Sequence, residues 1–234
     1  REKFGGCNSK AYSKIFELLL RLRANYFWPA MWGNAFNEDD PDNARIADEY
    51  GIVMGTSHHE PMLRSANEWQ RHKKEFGDGK WNYVTNAGGI QDFWRQGLER
   101  NKTFESILTM GMRGESDEPM PGAGSAKDNF RLLENIMKDQ RKIIEGVYKK
   151  PASKVPQIWA LYSEVLEYYD QGIKVPEDMI ILLCDDNWGN VRRLPELEGK
   201  RHPGGYGIYY HVDIHGAPRA YQWLNMTQIP HMWE

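Results

Sequence analysis

The sequence predicts an α/β fold, a (β/α)8 barrel of the TIM type that is present in part, with about six βα units. Two observations predict it. Short apolar β-runs alternate with stretches whose apolar residues recur at helical spacing, the order that yields a parallel sheet with right-handed crossovers. Five of those runs also break off directly into clusters of charged and hydrogen-bonding residues. The clusters are His58-His59-Glu60, the stretch from Arg113 to Glu118, Tyr162-Ser163-Glu164, the stretch from Asp185 to Trp188, and His211-Val212-Asp213. Continuous apolar runs suit strands buried on both faces. In a closed barrel, the C-terminal end of every strand opens onto the rim that holds the active site.

In chain order, 9–22 reads as a helix striped by Tyr12, Ile15, Phe16, Leu19 and Leu22, with Asn8 or Ser9 as N-cap. A strand follows at 25–28 and ends at Pro29. A short helix over 42–50 meets Gly51, a residue suited to a left-handed C-cap. Strand 52–56 leads to helical stretches around 64–76 and 90–101, then to strand 106–112 and a Gly/Pro-rich loop at 119–124. The helix over 126–148 carries Phe130, Leu133, Met137, Ile144 and Val147 on one face. Pro151 and Pro156 bracket the entry to strand 157–161. Helix 163–171, strand 179–184 and strand 207–212 complete the series, and no further βα unit is read after Pro218.

A full barrel takes ~250 residues. This chain has 234 and opens on a helix, so the expectation is a single partial catalytic domain over 1–234, without a second domain. Hydrophobic residues make up 40%, enough for a core. Net charge is −3 with both signs interspersed, which argues against nucleic acid and anionic membrane as partners. No run approaches the ~18 apolar residues of a membrane span, and no signal-peptide pattern opens the chain. Cys7 and Cys184 are read as unpaired, with Cys184 a small core hydrophobe.

Glycoside hydrolysis requires two carboxyl groups, one to protonate the leaving oxygen and one to activate water or attack carbon. Glu60, Asp117, Glu118, Glu164, Asp185, Asp186 and Asp213 are candidates by position, each with a plainer reading as an N-cap or ion pair. Glu115 and Asp117 can face different ways within one loop. Arg113 either positions one of those acids or clamps a substrate carboxylate, for which guanidinium geometry is suited. If their strand continues, His58 and His59 point to opposite faces and one of them at most reaches the site. His211, Asp213 and His215 alternate as a weak metal-like pattern. Trp28, Trp32 and Trp188, at or past strand ends, are placed to stack on sugar, whereas other tryptophans are expected in the core. G-x-S-x-G, P-loop, G-x-G-x-x-G and C-x-x-C signatures are absent.

Four strings, NYFWPAMWGN (25–34), GIVMGTSHHEPM (51–62), GMRGESDEPM (111–120) and CDDNWGNVRR (184–193), resemble glycoside hydrolase family 115, the xylan α-1,2-glucuronidases, in order over essentially the whole chain. The resemblance implies an inverting enzyme that removes glucuronic acid or its 4-O-methyl ether from xylan side chains, acting on glucuronoxylan or aldouronic acids. It implies Asp117 and Glu164 as the catalytic carboxylates. Arg113 and Asn187 are implied as sugar-binding, together with His58 or His59; Trp28, Trp32, Trp188 and His211 join them as substrate-binding candidates. No metal or organic cofactor is implied. A secreted or periplasmic location follows from the resemblance, and homodimerisation would use domains absent from this chain. The pattern departs from the family's in two places. An earlier strand ending in an Asn-Asp-Glu-like cluster is missing, and Glu115-Ser116 replaces an Asp-Gly-like pair. Two rivals follow from the residues: a metal-dependent barrel hydrolase using His58 or His59 with His211 and Asp213, and a non-catalytic carbohydrate-binding fragment with Trp28, Trp32 and Trp188 as its platform.

Overall fold

Helix α1 (Ser9–Arg21) begins where Asn8 accepts a hydrogen bond from the Ala11 amide at 3.2 Å, so Asn8 is the cap. The computed structural model describes residues 2–122, 124, 126–186, 189–193, 201–211 and 230. Its contacts divide the chain into two units, Arg1–Gln157 and Ile158–Glu234.

In the first unit α1 is followed by β1 (Tyr26–Phe27), α2 (Phe36–Asp39), α3 (Asp42–Glu49) and β2 (Val53–Met54). Gly51 closes α3 with φ +67 and donates to the Asp48 carbonyl, the anticipated left-handed cap. Strands β1 and β2 pair in parallel, with Tyr26 opposite Val53. A parallel bridge from Met54 to Ser106 brings the approach to β3 (Leu108–Thr109) alongside. Tyr12, Phe16, Phe36, Ala44, Ala47, Ile52 and Met54 form the core beneath β1 and β2.

Helices α4 (Ala66–His72) and α5 (Tyr83–Asn101) bury a second aromatic cluster of Trp69, Phe76, Trp81, Phe93 and Trp94. Helix α6 (Ala126–Tyr148) packs on α5, and Leu133, Met137, Ile144 and Val147 of its expected stripe are buried. Helix α5 starts seven residues before the expected 90, and α2 was not anticipated. Within α5, Gly89 serves close approach: a Cβ there would lie 2.7 Å from the Phe76 carbonyl.

The second unit holds β4 (Gln157–Leu161, whose first residue belongs to the first unit), α7 (Glu164–Asp170), β5 (Ile180–Cys184) and β6 (Tyr206–Tyr209). Its strands run parallel, with Ile158 opposite Ile180 and Ile181 opposite Tyr206. All five residues of β4 are buried, polar Gln157 as well as the apolar run Ile158–Leu161. The architecture is mixed α/β with parallel sheets. Among the described residues the strands form no closed barrel.

Candidate active site

The first unit carries a polar cluster just past β2. Glu60 donates its amide to the Ser57 carbonyl at 2.9 Å, so residues 57–60 form a turn instead of extending the strand. Thr56 Oγ1 closes the same turn by donating to the Glu60 carbonyl, and Thr109 Oγ1 donates to the Thr56 carbonyl. The turn overrides strand alternation. His58 and His59 therefore do not point to opposite faces: both Nδ1 atoms lie on Ser57 Oγ, at 3.1 and 3.2 Å, which corrects the expectation.

Both rings also approach Asp117. His58 Nε2 is 2.9 Å and His59 Nδ1 3.9 Å from Asp117 Oδ1, and Arg113 Nη1 contacts the same oxygen. The Arg113 side chain is 4% exposed, and its carbonyl accepts from Trp81 Nε1 at 2.8 Å. The loop that presents Asp117 closes through a Gly114 amide to Glu118 carbonyl bond at 2.6 Å. A Cβ on Gly114 would meet that carbonyl oxygen at 2.7 Å. Asp117 itself sits at φ +67. Glu115 turns away to Gln70 and to Lys73, 3.1 Å distant, so the two acids do face different ways.

Trp32 lies flat on His59 with ring centres 5.2 Å apart and is 59% exposed. Trp28 is half-buried and donates to the Tyr26 hydroxyl at 2.6 Å. Both rings press on Gly55, where a Cβ would come within 2.2 Å of that hydroxyl. Burial pushes the Tyr26 phenol up to about 12. Burial, then the charges of His58 and Arg113, bring His59 down to about 3. Burial, with Glu68 adding, pushes Glu60 up to about 7 against the lowering bond from the Ala66 amide.

His58, His59 and Asp117 bring donor atoms within 4.8 Å of one another, a spacing that a cation could bridge. The Arg113 guanidinium already occupies the shared Asp117 oxygen, however, and places a positive charge beside the trio. The arrangement is that of a polar network, with one carboxylate oxygen ion-paired to Arg113 and hydrogen-bonded to His58.

The second unit holds its own polar group. Asp185 Oδ1 accepts from the His211 amide at 3.0 Å and pairs with His211 Nδ1 at 2.7 Å, while its buried Oδ2 has no hydrogen-bond partner among the described residues. Tyr162 and Tyr209 flank the His211 ring. Asp186 instead accepts from the Asn190 amide and from Arg192 Nε, at 2.9 and 2.7 Å, and fixes the loop after β5. A cavity of about 400 Å³ beside them is lined by Leu161, Tyr162, Ser163, Leu166, Asp185 and Asp186, among others. Glu164 is half-buried at the start of α7, and Ser163 before it adopts φ 54, ψ −126. Asn187, Trp188, Asp213 and His215 lie outside the described residues.

The sequence expectation placed Arg113, Asp117, Trp32 and one of the two histidines at one site, and the structure brings these and the second histidine into one cluster. Ser57 and Trp81 were missed. Ser57 had a signal, a small hydroxyl directly before two histidines; Trp81, 32 residues from Arg113, had none.

A family model described as Glycosyl hydrolase family 115 matches residues 1–234. Among solved structures the chain is similar to a protein described as a family GH115 4-O-methyl-α-glucuronidase, BtGH115A, with specificity for decorated arabinogalactans. The identity is 38% and the TM-score 0.84, over 93% of this chain and 28% of that one. The chain thus spans under a third of that protein's length. Among curated proteins nothing matches.

Proposed function

We propose that this chain, which belongs to glycosyl hydrolase family 115, carries catalytic machinery of an α-glucuronidase that removes glucuronic acid or its 4-O-methyl ether from polysaccharide side chains. The observation that carries the reading is Asp117, held by Arg113 and His58 on one oxygen, beside an exposed Trp32 ring stacked on His59. Glycosidases need one carboxylate that takes a proton from water and one acid that gives a proton to the leaving oxygen. Asp117, ion-paired to Arg113 and bonded to His58, is assigned the first role; Glu164 is assigned the second. Trp32 supplies an apolar face for a pyranose, and Trp28 and Trp188 are assigned to sugar stacking as well. Arg113 orients Asp117, and its five-donor guanidinium is also suited to a uronate carboxylate. Asn187 and His211 complete the polar contacts to sugar.

We further assign inversion, an α-1,2 linkage and glucuronoxylan or aldouronic acids as substrate. Decorated arabinogalactan is a second substrate, favoured by the specificity of the similar 4-O-methyl-α-glucuronidase. The parallel strands belong, in this reading, to a (β/α)8 barrel completed by further chain, in a secreted or periplasmic enzyme without cofactor.

The test uses the whole protein. Asp117→Asn and Glu164→Gln should each lower turnover on aldouronic acid by on the order of 10²- to 10⁴-fold, and the wild type should release the sugar with inverted anomeric configuration. Full turnover in both variants would overturn the carboxylate assignment, and activity on arabinogalactan alone would overturn the xylan assignment. Loss of activity with a chelator, restored by metal, would favour the metal-dependent rival.

A further inference from the structure

We propose that Asp185 is a positioning residue that locks His211 with a hydrogen on Nδ1, so that Nε2 is the one ring atom through which His211 meets a sugar hydroxyl. Asp185 directly follows β5, and its side chain is 0% exposed against 19% for His211. Its Oδ1 accepts from the His211 amide at 3.0 Å and lies 2.7 Å from Nδ1 of the same residue. One carboxylate oxygen thereby fixes both the backbone and the ring of His211, just past β6. The inference rests on the reading above in taking His211 as a contact to sugar.

The tautomer follows from the shared oxygen. A backbone amide can only donate, and an ionised carboxylate can only accept. A bare Nδ1 at 2.7 Å would set its lone pair against those of Oδ1, so the hydrogen sits on Nδ1. A proton on Oδ1 would pass to the imidazole nitrogen, the stronger base, and restore the same Nδ1–H. A proton on Oδ2 would have nothing to bond, because that buried oxygen has no hydrogen-bond partner among the described residues. With Nδ1 so occupied, His211 gains or loses a hydrogen only at Nε2. The neutral ring accepts from a hydroxyl there, and the protonated ring donates.

Closing the end of a strand does not require a carboxylate, since one amide oxygen would accept from the same two donors. Burying a charge whose second oxygen has no partner is costly, and the bond that gains from the charge is the one to the ring. The same use of a buried aspartate, to hold an imidazole in one tautomer and one orientation, serves hydrolases of other folds. The surroundings suit a sugar. Asp185 and Tyr162 both adjoin the ring and both line the cavity of about 400 Å³, and the Tyr162 and Tyr209 rings flank His211 with centres 5.8 and 4.6 Å away. Among the described residues, the titratable groups at the ring are therefore Asp185, Tyr162 and Tyr209.

Nitrogen NMR on the whole protein with ring-labelled histidine, without substrate, reads the tautomer, and His211→Gln identifies the His211 signals by their loss. The expected result is a hydrogen on Nδ1 throughout a pH series, with Nε2 alone gaining or losing one. A neutral ring with its hydrogen on Nε2 and a bare Nδ1 overturns the lock, even where a variant fails to fold. In Asp185→Leu the neutral ring should populate both tautomers; in Asp185→Asn, which keeps the oxygen that the amide faces, Nδ1–H should persist. An unchanged tautomer in the leucine variant, or a changed one in the asparagine variant, overturns the role of Asp185. On aldouronic acid, Asp185→Leu should raise KM about tenfold and lower kcat by less, as expected for one lost hydrogen bond to substrate. A fall in kcat with KM unchanged overturns the hydroxyl contact. His211→Gln, whose amide reaches the Nε2 position, should lose less than His211→Asn, whose amide reaches only that of Nδ1; the reverse order overturns Nε2 as the working atom. If the wild type releases no glucuronic acid while the Nδ1–H lock is seen, the hydrolase reading falls and the lock stands.

Discussion

Replacing Glu60 by glutamine should stabilise the protein above neutral pH and do little in mild acid. Glu60 is 3% exposed, in the turn that carries both histidines, and accepts from the Ala66 amide at 2.9 Å. Burial, reinforced by the nearby charge of Glu68, raises its carboxyl from the ordinary 4.5 to about 7. The folded protein therefore holds this proton more tightly than the unfolded chain. The stability it contributes is whole below pH 4.5 and is lost as pH rises through about 7. From 4.5 to about 7, at about 1.4 kcal/mol per pH unit, the ionised form costs the fold on the order of 3 kcal/mol. Glutamine mimics the protonated acid and keeps an acceptor for Ala66. Urea unfolding at two pH values reads the difference: the variant should lead by about 3 kcal/mol at pH 8 and by about 1 kcal/mol or less at pH 5. A variant equally destabilised at both values would refute the reasoning, because it would mean that the carboxylate charge itself holds the turn.

Gly97→Ala in α5 should destabilise by on the order of 1–2 kcal/mol in the same assay, because its Cβ would meet the Met62 carbonyl at 2.8 Å and the Arg64 stem at 2.6 Å. Gly146→Ala in α6, with nothing within 4 Å of the new atom, should instead stabilise by roughly 0.5–1 kcal/mol. Equal effects of the two would refute the packing argument. Ser163→Gly should raise the unfolding free energy by on the order of 1 kcal/mol by relieving φ 54, ψ −126; a fall would show that the serine side chain contributes more than its backbone costs.

The apolar runs made the order of strands and helices legible, and α6 matches its stripe to both boundaries, 126 and 148. Strand lengths were not legible. The run at 52–56 yields only Val53–Met54 as strand, because strand pairing depends on the partner's backbone, which the run does not encode. The role of Gly89 was not legible either, because it comes from its position against the Phe76 backbone. At the site, residue types and spacing singled out Asp117, Arg113 and the two histidines. The direction of the His59 side chain was not readable, since it follows from the 57–60 turn, which is set by the Ser57 and Glu60 backbone and by Thr109 Oγ1 from 53 residues away.

That turn raises an energetic question, because it buries His58, His59 and Glu60 together and then passes through Met62 and Leu63, both at φ near +60. Consecutive non-glycine residues in the left-handed region cost on the order of 1–3 kcal/mol each, so local preference opposes the conformation. What offsets it comes from outside the turn. Arg64, directly after it, lies 3.9 Å from the centre of the Phe93 ring and 3.2 Å from Glu68, which in turn pairs with Arg100 at 2.8 Å. Glu68 also completes a capping box with Ser65 at the start of α4. The strained turn is thus clamped at its exit by a buried charge network rooted in α4 and α5, and at its entry by Gly55 under the Tyr26–Trp28 pair. The histidines owe their common direction to this clamp, not to their own conformational preference.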